Sequence, residues 1–329
     1  MQHRSVSMEA VTCMLCPHHC ALPEGKAGYC RARANMGGKI VPLAYGRPCS
    51  VAMDPMEKKP LFHFFPGERI LSVGACGCNL HCRNCQNASI SQVQPSAVPH
   101  SALPPEKLAV LMQANGARHA AYTYNEPLVG YEYVRDCAEA VRNAGGNNVL
   151  VSAGYVEKAP LAELLPLIDA ANIDLKAFSD PFYRRNCGAT LVPVLEALRL
   201  IRKYPVVLEV TNLLIPTLND SDAMILDLVR FVRDELGEET PLHFSRFFPA
   251  HRLASLPPTP EETLDRALNI ARDAGMKHVY RGNSRKDDDT CCARCGAPVI
   301  ARKGYAIIRN TLDNGRCPSC GAALYGRFA

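Results

Sequence analysis

Three cysteines at CxxxCxxC spacing, Cys78, Cys82 and Cys85, constrain this chain more than any other feature. They lie in Ala75-Cys76-Gly77-Cys78-Asn79-Leu80-His81-Cys82-Arg83-Asn84-Cys85-Gln86-Asn87, directly after RILSVG at 69–74, which reads as a β-strand. Thiolates are the ligands of a [4Fe–4S] cluster, and closely spaced cysteines on one loop reach three of its corners. One iron is then left open to a further ligand. Gly74 and Gly77 would let the backbone turn tightly around such a cluster. A zinc knuckle completed by Cys76 or His81 is the competing reading. The spacing and the position after a strand count against it.

The chain holds sixteen cysteines in 329 residues. Its opening, MQHRSVSMEAVTCMLC, lacks the apolar run of a signal peptide, so a cytoplasmic protein is the expectation. No stretch approaches the roughly 20 apolar residues that span a bilayer. Thiols in that compartment serve metals or redox chemistry in preference to a disulfide framework. Cys49, Cys137 and Cys187 stand alone and read as small buried hydrophobes. The net charge of +5 is scattered among acidic neighbours, too diffuse to argue for nucleic acid.

Three regions differ in composition. Residues 1–45 are Cys-, Gly- and Pro-rich, as in a small module organised by a metal. Residues 46–283 alternate β-like runs with helical patterns. A polar linker opens residues 284–329, a second Cys-rich module. The expected strands are 69–74, 118–124, 148–152, 171–176, 206–214, 241–247 and 277–281, with helices over 105–115, 129–144, 191–203 and 221–236. Such alternation implies a parallel sheet, either a barrel or an open sheet, with its site beyond the carboxyl ends of the strands.

An open iron on the cluster could be chelated by the amino and carboxylate groups of S-adenosylmethionine (SAM). Reductive cleavage would then give methionine and a 5′-deoxyadenosyl radical that takes hydrogen from a substrate, the cofactor supplying the chemistry and the protein the positioning. The CxxxCxxC spacing is that of the radical SAM superfamily. More narrowly, Cys13-Met14-Leu15-Cys16-Pro17-His18-His19-Cys20, Asp54-Pro55-Met56-Glu57-Lys58-Lys59-Pro60-Leu61, Cys85-Gln86-Asn87 and Tyr122-Thr123-Tyr124-Asn125-Glu126-Pro127 resemble the AmmeMemoRadiSam-system radical SAM enzymes. These are relatives of pyruvate formate-lyase activating enzyme. The resemblance runs over nearly the whole chain.

It implies an α/β fold, a partial (β/α)6 TIM-type barrel with the cluster at its mouth, flanked by the two metal-binding modules. It also implies SAM contacts from Asn125 and Glu126, which end the second strand where the family has a GGE-like motif. Asp174 and Lys176 match a DxK motif, and strand alternation puts both on one face. His243 and Arg246 lie on a strand resembling the family's late SAM-contacting strand. Asn212 is a polar residue in an apolar run. Ser152 is the nearest candidate where the relatives carry Asn-Gly, since Ala153 cannot replace the Asn. An electron donor such as flavodoxin or ferredoxin is implied, with AMMECR1-like and Memo-like proteins of the same system as partners.

At the C-terminus, Cys292-Ala293-Arg294-Cys295-Gly296 and Cys317-Pro318-Ser319-Cys320-Gly321 are two CxxCG knuckles, with 21 residues between Cys295 and Cys317. They predict a tetrahedral four-thiolate site, zinc first and a rubredoxin-like mononuclear iron second. Cys291 leaves a one-residue ambiguity. Near the N-terminus, Cys13, Cys16, Cys20 and Cys30 could bind a second metal, with His18 or His19 as an alternative ligand. There zinc stands ahead of an auxiliary iron–sulfur cluster, because CxxCxxxC is not the spacing of a dicluster ferredoxin. Two further functions compete with a radical enzyme that acts on a small molecule or a partner-delivered substrate. One is an activase for a glycyl-radical enzyme; the other is a zinc-ribbon interaction or nucleic-acid module, which leaves the strand-borne cysteines unexplained.

Overall fold

The computed structural model describes residues 10–328. The first nine residues of the stretch examined for a leader lie outside it. All seven expected strands are present, and an eighth joins them. They are β1 (Ser50–Pro55), β2 (Arg69–Gly74), β3 (His119–Tyr122), β4 (Asn147–Ser152), β5 (Ala170–Asp174), β6 (Val207–Leu214), β7 (Leu242–Arg246) and β8 (Val279–Gly282). They form one eight-stranded sheet in sequential order, β2 to β8 parallel and β1 antiparallel on the edge of β2. Parallel strands are covered by their crossover helices, so they read as near-continuous apolar runs. β1, SVAMDP, lacks that signature and escaped the sequence reading.

The helices lie where their apolar stripes require. Tyr131–Asn143 buries Val134, Cys137, Ala138 and Val141, an i, i+3, i+4, i+7 stripe facing the sheet. Asp222–Phe231 starts at Ser221, whose side chain accepts from Met224 N. Two helices absent from the sequence reading, Lys158–Leu164 and Glu261–Asp273, complete the outer layer. No helix of the described residues is long and apolar enough to cross a membrane.

Alternation along each strand divides two cores. Outward residues such as Leu71, Val73, Leu150 and Ile173 meet the helices, while Ile70, Ala121, Val149, Ala170 and Val207 point inward. The inward set packs on Met56, Leu61, Phe64 and Phe65, from the connection between β1 and β2. That connection is a plug at the amino ends of the strands. Polar bonds fix it: Glu209 accepts from Phe62 N and His63 N at 2.8 and 2.7 Å, and Asn172 donates to Pro60 O at 2.7 Å. Open space inside the sheet therefore remains at the carboxyl ends.

The N-terminal module is two small hairpins, Val11–Thr12 with Ala21–Leu22 and Arg33–Met36 with Lys39–Pro42. At the other end Thr290–Cys291, Pro298–Lys303 and Ala306–Asn310 form a three-stranded antiparallel ribbon. The polar run before it is tied down: Asp288 pairs with Arg281, Asp289 accepts from Arg302 N and Asp287 from Gly304 N. The chain then returns beneath the sheet, where Tyr325 OH bonds Leu208 N and Tyr325 O bonds His63 Nδ1.

Candidate active site

At the carboxyl ends of the strands lies a cavity of about 250 Å³ lined by Cys78, Cys82 and Cys85. Asn125, Glu126, Asp174 and Lys176 line it as well, so the structure brings together the cluster loop and four of the eight polar residues singled out in the sequence. Asn125 donates through Nδ2 to Ala75 O and, at 2.5 Å, to Gly77 O, pinning the loop from β3. Its Oδ1 is buried without a partner. Tyr124 before it has φ +73°, a left-handed conformation that suits glycine. This is why a Gly-rich motif and Tyr124-Asn125 can trace the same turn.

Glu126 is buried and accepts from Ser152 Oγ at 2.8 Å, Ala153 N at 2.8 Å and Leu128 N at 3.1 Å. Burial raises its carboxyl above the ordinary range, and those three donors pull the other way. Ser152 thus acts one bond behind the cavity, through Glu126. Lys176 Nζ lies 2.6 Å from Asp174 Oδ2. Burial works against its charge, but Asp174 and the Cys82 sulfur outweigh it and the ammonium is stabilised. Cys82 is the most acidic thiol of the loop: a hydrogen bond from Cys187 lowers it against burial, whereas burial raises Cys78 and Cys85. Cys187, read from sequence as a small buried hydrophobe, is fully buried and also adjoins the cluster loop, accepting from His81 N.

The other three residues lie elsewhere. His243 is fully buried and bonded at 2.6 Å to Glu209, which holds the plug, two residues below the cavity wall. Asn212 faces away from the cavity and donates to Leu175 O and Lys176 O, so it seats the turn that carries Lys176. Arg246 turns outward to Thr259 O and Glu261. Their neighbours Thr211 and Ser245 line the cavity instead. Period-two alternation from Asp174 across the sheet register would have found both.

The Radical SAM superfamily profile matches residues 73–232. An uncharacterized protein of Methanocaldococcus jannaschii, MJ0808, is 43% identical over 328 residues, 98% of each chain. This chain belongs to the radical SAM superfamily. Among solved structures it resembles Streptococcus suis SuiB bound to the precursor peptide SuiA, at 11% identity and TM-score 0.53 over 72% of this chain and 52% of that one. A radical SAM methyltransferase from Sphaerobacter thermophilus aligns at 15% identity and TM-score 0.51 over 67% and 68%. A domain of a Bacteroides vulgatus pyruvate-formate lyase-activating enzyme aligns at 18% identity and TM-score 0.43 over 50% and 98%. The first two likenesses are ones of fold.

A radical SAM domain implies a [4Fe–4S] cluster and SAM, and the residues present fit both. Three cavity-lining thiols supply the cluster's donor set. The buried Asn125 Oδ1, the Glu126 carboxylate and the Asp174–Lys176 pair offer both charges to the amine and carboxylate of SAM.

The C-terminal cysteines form a separate centre. Cys292, Cys295, Cys317 and Cys320 bring their sulfurs within 4.8 Å of one another, with Cys292–Cys320 at 3.6 Å and Cys295–Cys317 at 3.7 Å. Cys291 is exposed and outside the group, which removes the one-residue ambiguity. Cys13, Cys16, Cys20 and Cys30 line one cavity with His18. The imidazoles are engaged elsewhere, His18 Nε2 with Asn79 O at 2.8 Å and His19 with Glu157 at 3.0 Å.

Proposed function

We propose that this chain cleaves SAM reductively at a [4Fe–4S] cluster held by Cys78, Cys82 and Cys85, and uses the radical on a small molecule held beside it. One observation carries the substrate class. The cluster cavity adjoins a second cavity of about 390 Å³ through shared residues Thr211, Ser245 and Asn283. This space lies in the gap between the edge strands β8 and β1. Arg281 and Asn283 wall it on one side, Glu57 and Lys58 on the other, and the ribbon residues Arg302, Gly304 and Tyr305 across the gap. Its volume is in the range of small-molecule sites, roughly 300–1,000 Å³. A backbone glycine delivered by a large protein would need that gap open, so the ribbon disfavours the glycyl-radical activase reading.

Bound cluster and SAM supply a one-electron cleavage to methionine and a 5′-deoxyadenosyl radical. The chain's own groups position the reactants. Glu126 is held by three donors and offers a fixed acceptor for an ammonium; Lys176, oriented by Asp174, offers a cation to a carboxylate. Asn125 keeps the cluster loop against β3. The AmmeMemoRadiSam assignment, a flavodoxin- or ferredoxin-type donor and AMMECR1-like and Memo-like partners rest on the motif resemblance. The reactions of the solved neighbours do not transfer at their identities.

Anaerobic reconstitution with iron and sulfide, then dithionite and SAM, is the deciding experiment. 5′-Deoxyadenosine and methionine are expected from the native chain, with Cys82→Ala at background. Equal amounts from both chains would overturn the reading. For the ribbon, four sulfurs spaced for a tetrahedral ion and a small apolar core of Val299, Ile300 and Leu324 favour structural zinc. About one zinc per chain is expected by elemental analysis, and Cys317→Ser is expected to lose it and loosen the ribbon. A native chain without zinc would exclude that metal.

A further inference from the structure

Two four-cysteine groups flank the barrel, and their scales differ. Around one tetrahedral ion, thiolates at about 2.3 Å from the metal sit close together. The C-terminal group obeys this, with pairs at 3.6 and 3.7 Å. In the N-terminal group no three ligand atoms approach within 4.8 Å of one another, although Cys13, Cys16, Cys20 and Cys30 line a single cavity. The cluster loop shares that wide spacing while converging on its own cavity. In a cubane each thiolate binds a different iron, so the ligands stand farther apart than around one ion.

A second observation concerns charge. Arg33 lines the N-terminal cavity beside the Cys13 thiol and is 6% exposed. Its two terminal nitrogens are bound to Glu132 at 2.6 Å, but Nε is buried with no partner. A buried donor left without an acceptor costs about 1–3 kcal/mol, so it points to an anionic occupant. A cluster with four thiolate ligands provides the acceptor sulfurs and the negative charge, and hydrogen bonds to sulfur are among the groups that set a cluster's potential.

Third, this cavity is wired to the cluster loop. Cys30 O accepts from Cys78 N at 3.1 Å, so a ligand of one site reaches a ligand of the other through one peptide unit and one hydrogen bond. Beside that bond, Tyr29 and His81, the neighbours of Cys30 and Cys82, stack at 3.8 Å between centroids and 16° between planes.

We propose that Cys13, Cys16, Cys20 and Cys30 hold a second [4Fe–4S] cluster that passes electrons to the cluster at Cys78, Cys82 and Cys85. This replaces the zinc that spacing alone suggested. One electron enters from a low-potential flavin or iron–sulfur protein and reduces the second cluster. It returns to its oxidised state as the electron moves on, and no bond or proton changes hands. The ligation stands by itself; the relay rests on the proposed SAM chemistry.

The test uses the full chain carrying Cys78→Ala, Cys82→Ala and Cys85→Ala together, reconstituted anaerobically. It is expected to retain about four irons and four sulfides and to give a paramagnetic signal on reduction, both lost when Cys13→Ser and Cys20→Ser are added. A triple variant without sulfide, or with zinc in these four thiols, overturns the proposal. In the otherwise native chain, Cys13→Ser/Cys20→Ser is expected to lower the ratio of donor-driven to dithionite-driven 5′-deoxyadenosine formation at least about tenfold, the effect of about 1.4 kcal/mol on the relay step. An unchanged ratio refutes the relay. Absence of 5′-deoxyadenosine from the native chain would leave the iron count of the triple variant to stand alone.

Discussion

Asp54→Ala is expected to destabilise the fold by roughly 3–5 kcal/mol, the cost of stripping one partner from a buried ion pair. Asp54 is the penultimate residue of β1, with its side chain 6% exposed. It meets Lys59 Nζ at 2.5 Å, Lys58 Nζ at 2.8 Å and Tyr124 OH at 2.7 Å. Lys59 is 3% exposed and also lies 4.9 Å from the Tyr124 ring centre. Without Asp54 its ammonium would be buried with no counter-charge. Burial works against the Asp54 carboxylate too, but the two lysines and the tyrosine hold it far below the usual range. A depressed pKa stabilises the fold above the unfolded value of about 4 and ceases to as pH falls toward the folded one. Urea unfolding of the apo chain measures the loss. Adding Lys59→Met is expected to recover much of it, because an apolar group then replaces the stranded charge. If the single and double variants unfold alike, the pair is not the cause.

The same residues show what a sequence can and cannot disclose. The cluster loop was legible because three ligands lie within eight residues of one another and need no distant partner to define them. Asp174 was legible because alternation on its strand decides its face, and Lys176, in the turn two residues on, came with the DxK motif. Asp54 to Leu61 stood out only as a motif. Its physical roles, a carboxylate bonded to Tyr124 and a plug tied to Asn172, depend on contacts 70 and 112 residues away. His243 was misread for that reason: it sits on the late strand that the resemblance singled out, but near its amino end, where Glu209 satisfies it. Asn212 was chosen by its polarity and Arg246 by the likeness of its strand, both without phase, and one residue along a strand reverses the face. β1 was missed because an antiparallel edge strand carries neither a crossover helix nor a long apolar run. In the N-terminal module, spacing named Cys13, Cys16, Cys20 and Cys30 as candidates but could not show that they line one cavity.

Gly77→Ala is expected to empty the cluster loop while leaving the barrel folded. Gly77 has φ +91°, where a side chain is strained by about 1–3 kcal/mol. The steric term is larger. A Cβ there would stand 2.5 Å from Cys30 O and 2.7 Å from Ala32 Cβ, and the first of these is backbone that cannot swing aside. Cys30 O is also the acceptor for Cys78 N, and Gly77 O the acceptor for Asn125. Relief would therefore push the loop from the N-terminal module and from β3 together, moving Cys78 relative to Cys82 and Cys85. Gly116→Ala separates the two costs. Its φ of +68° imposes similar strain, but nothing lies within 4 Å of its Cβ position, so a loss of about 1 kcal/mol and full iron loading are expected. Iron and sulfide per chain after reconstitution, with circular dichroism for the fold, give the comparison. Cluster content in Gly77→Ala equal to that in Gly116→Ala would mean the N-terminal module does not hold the cluster loop in place.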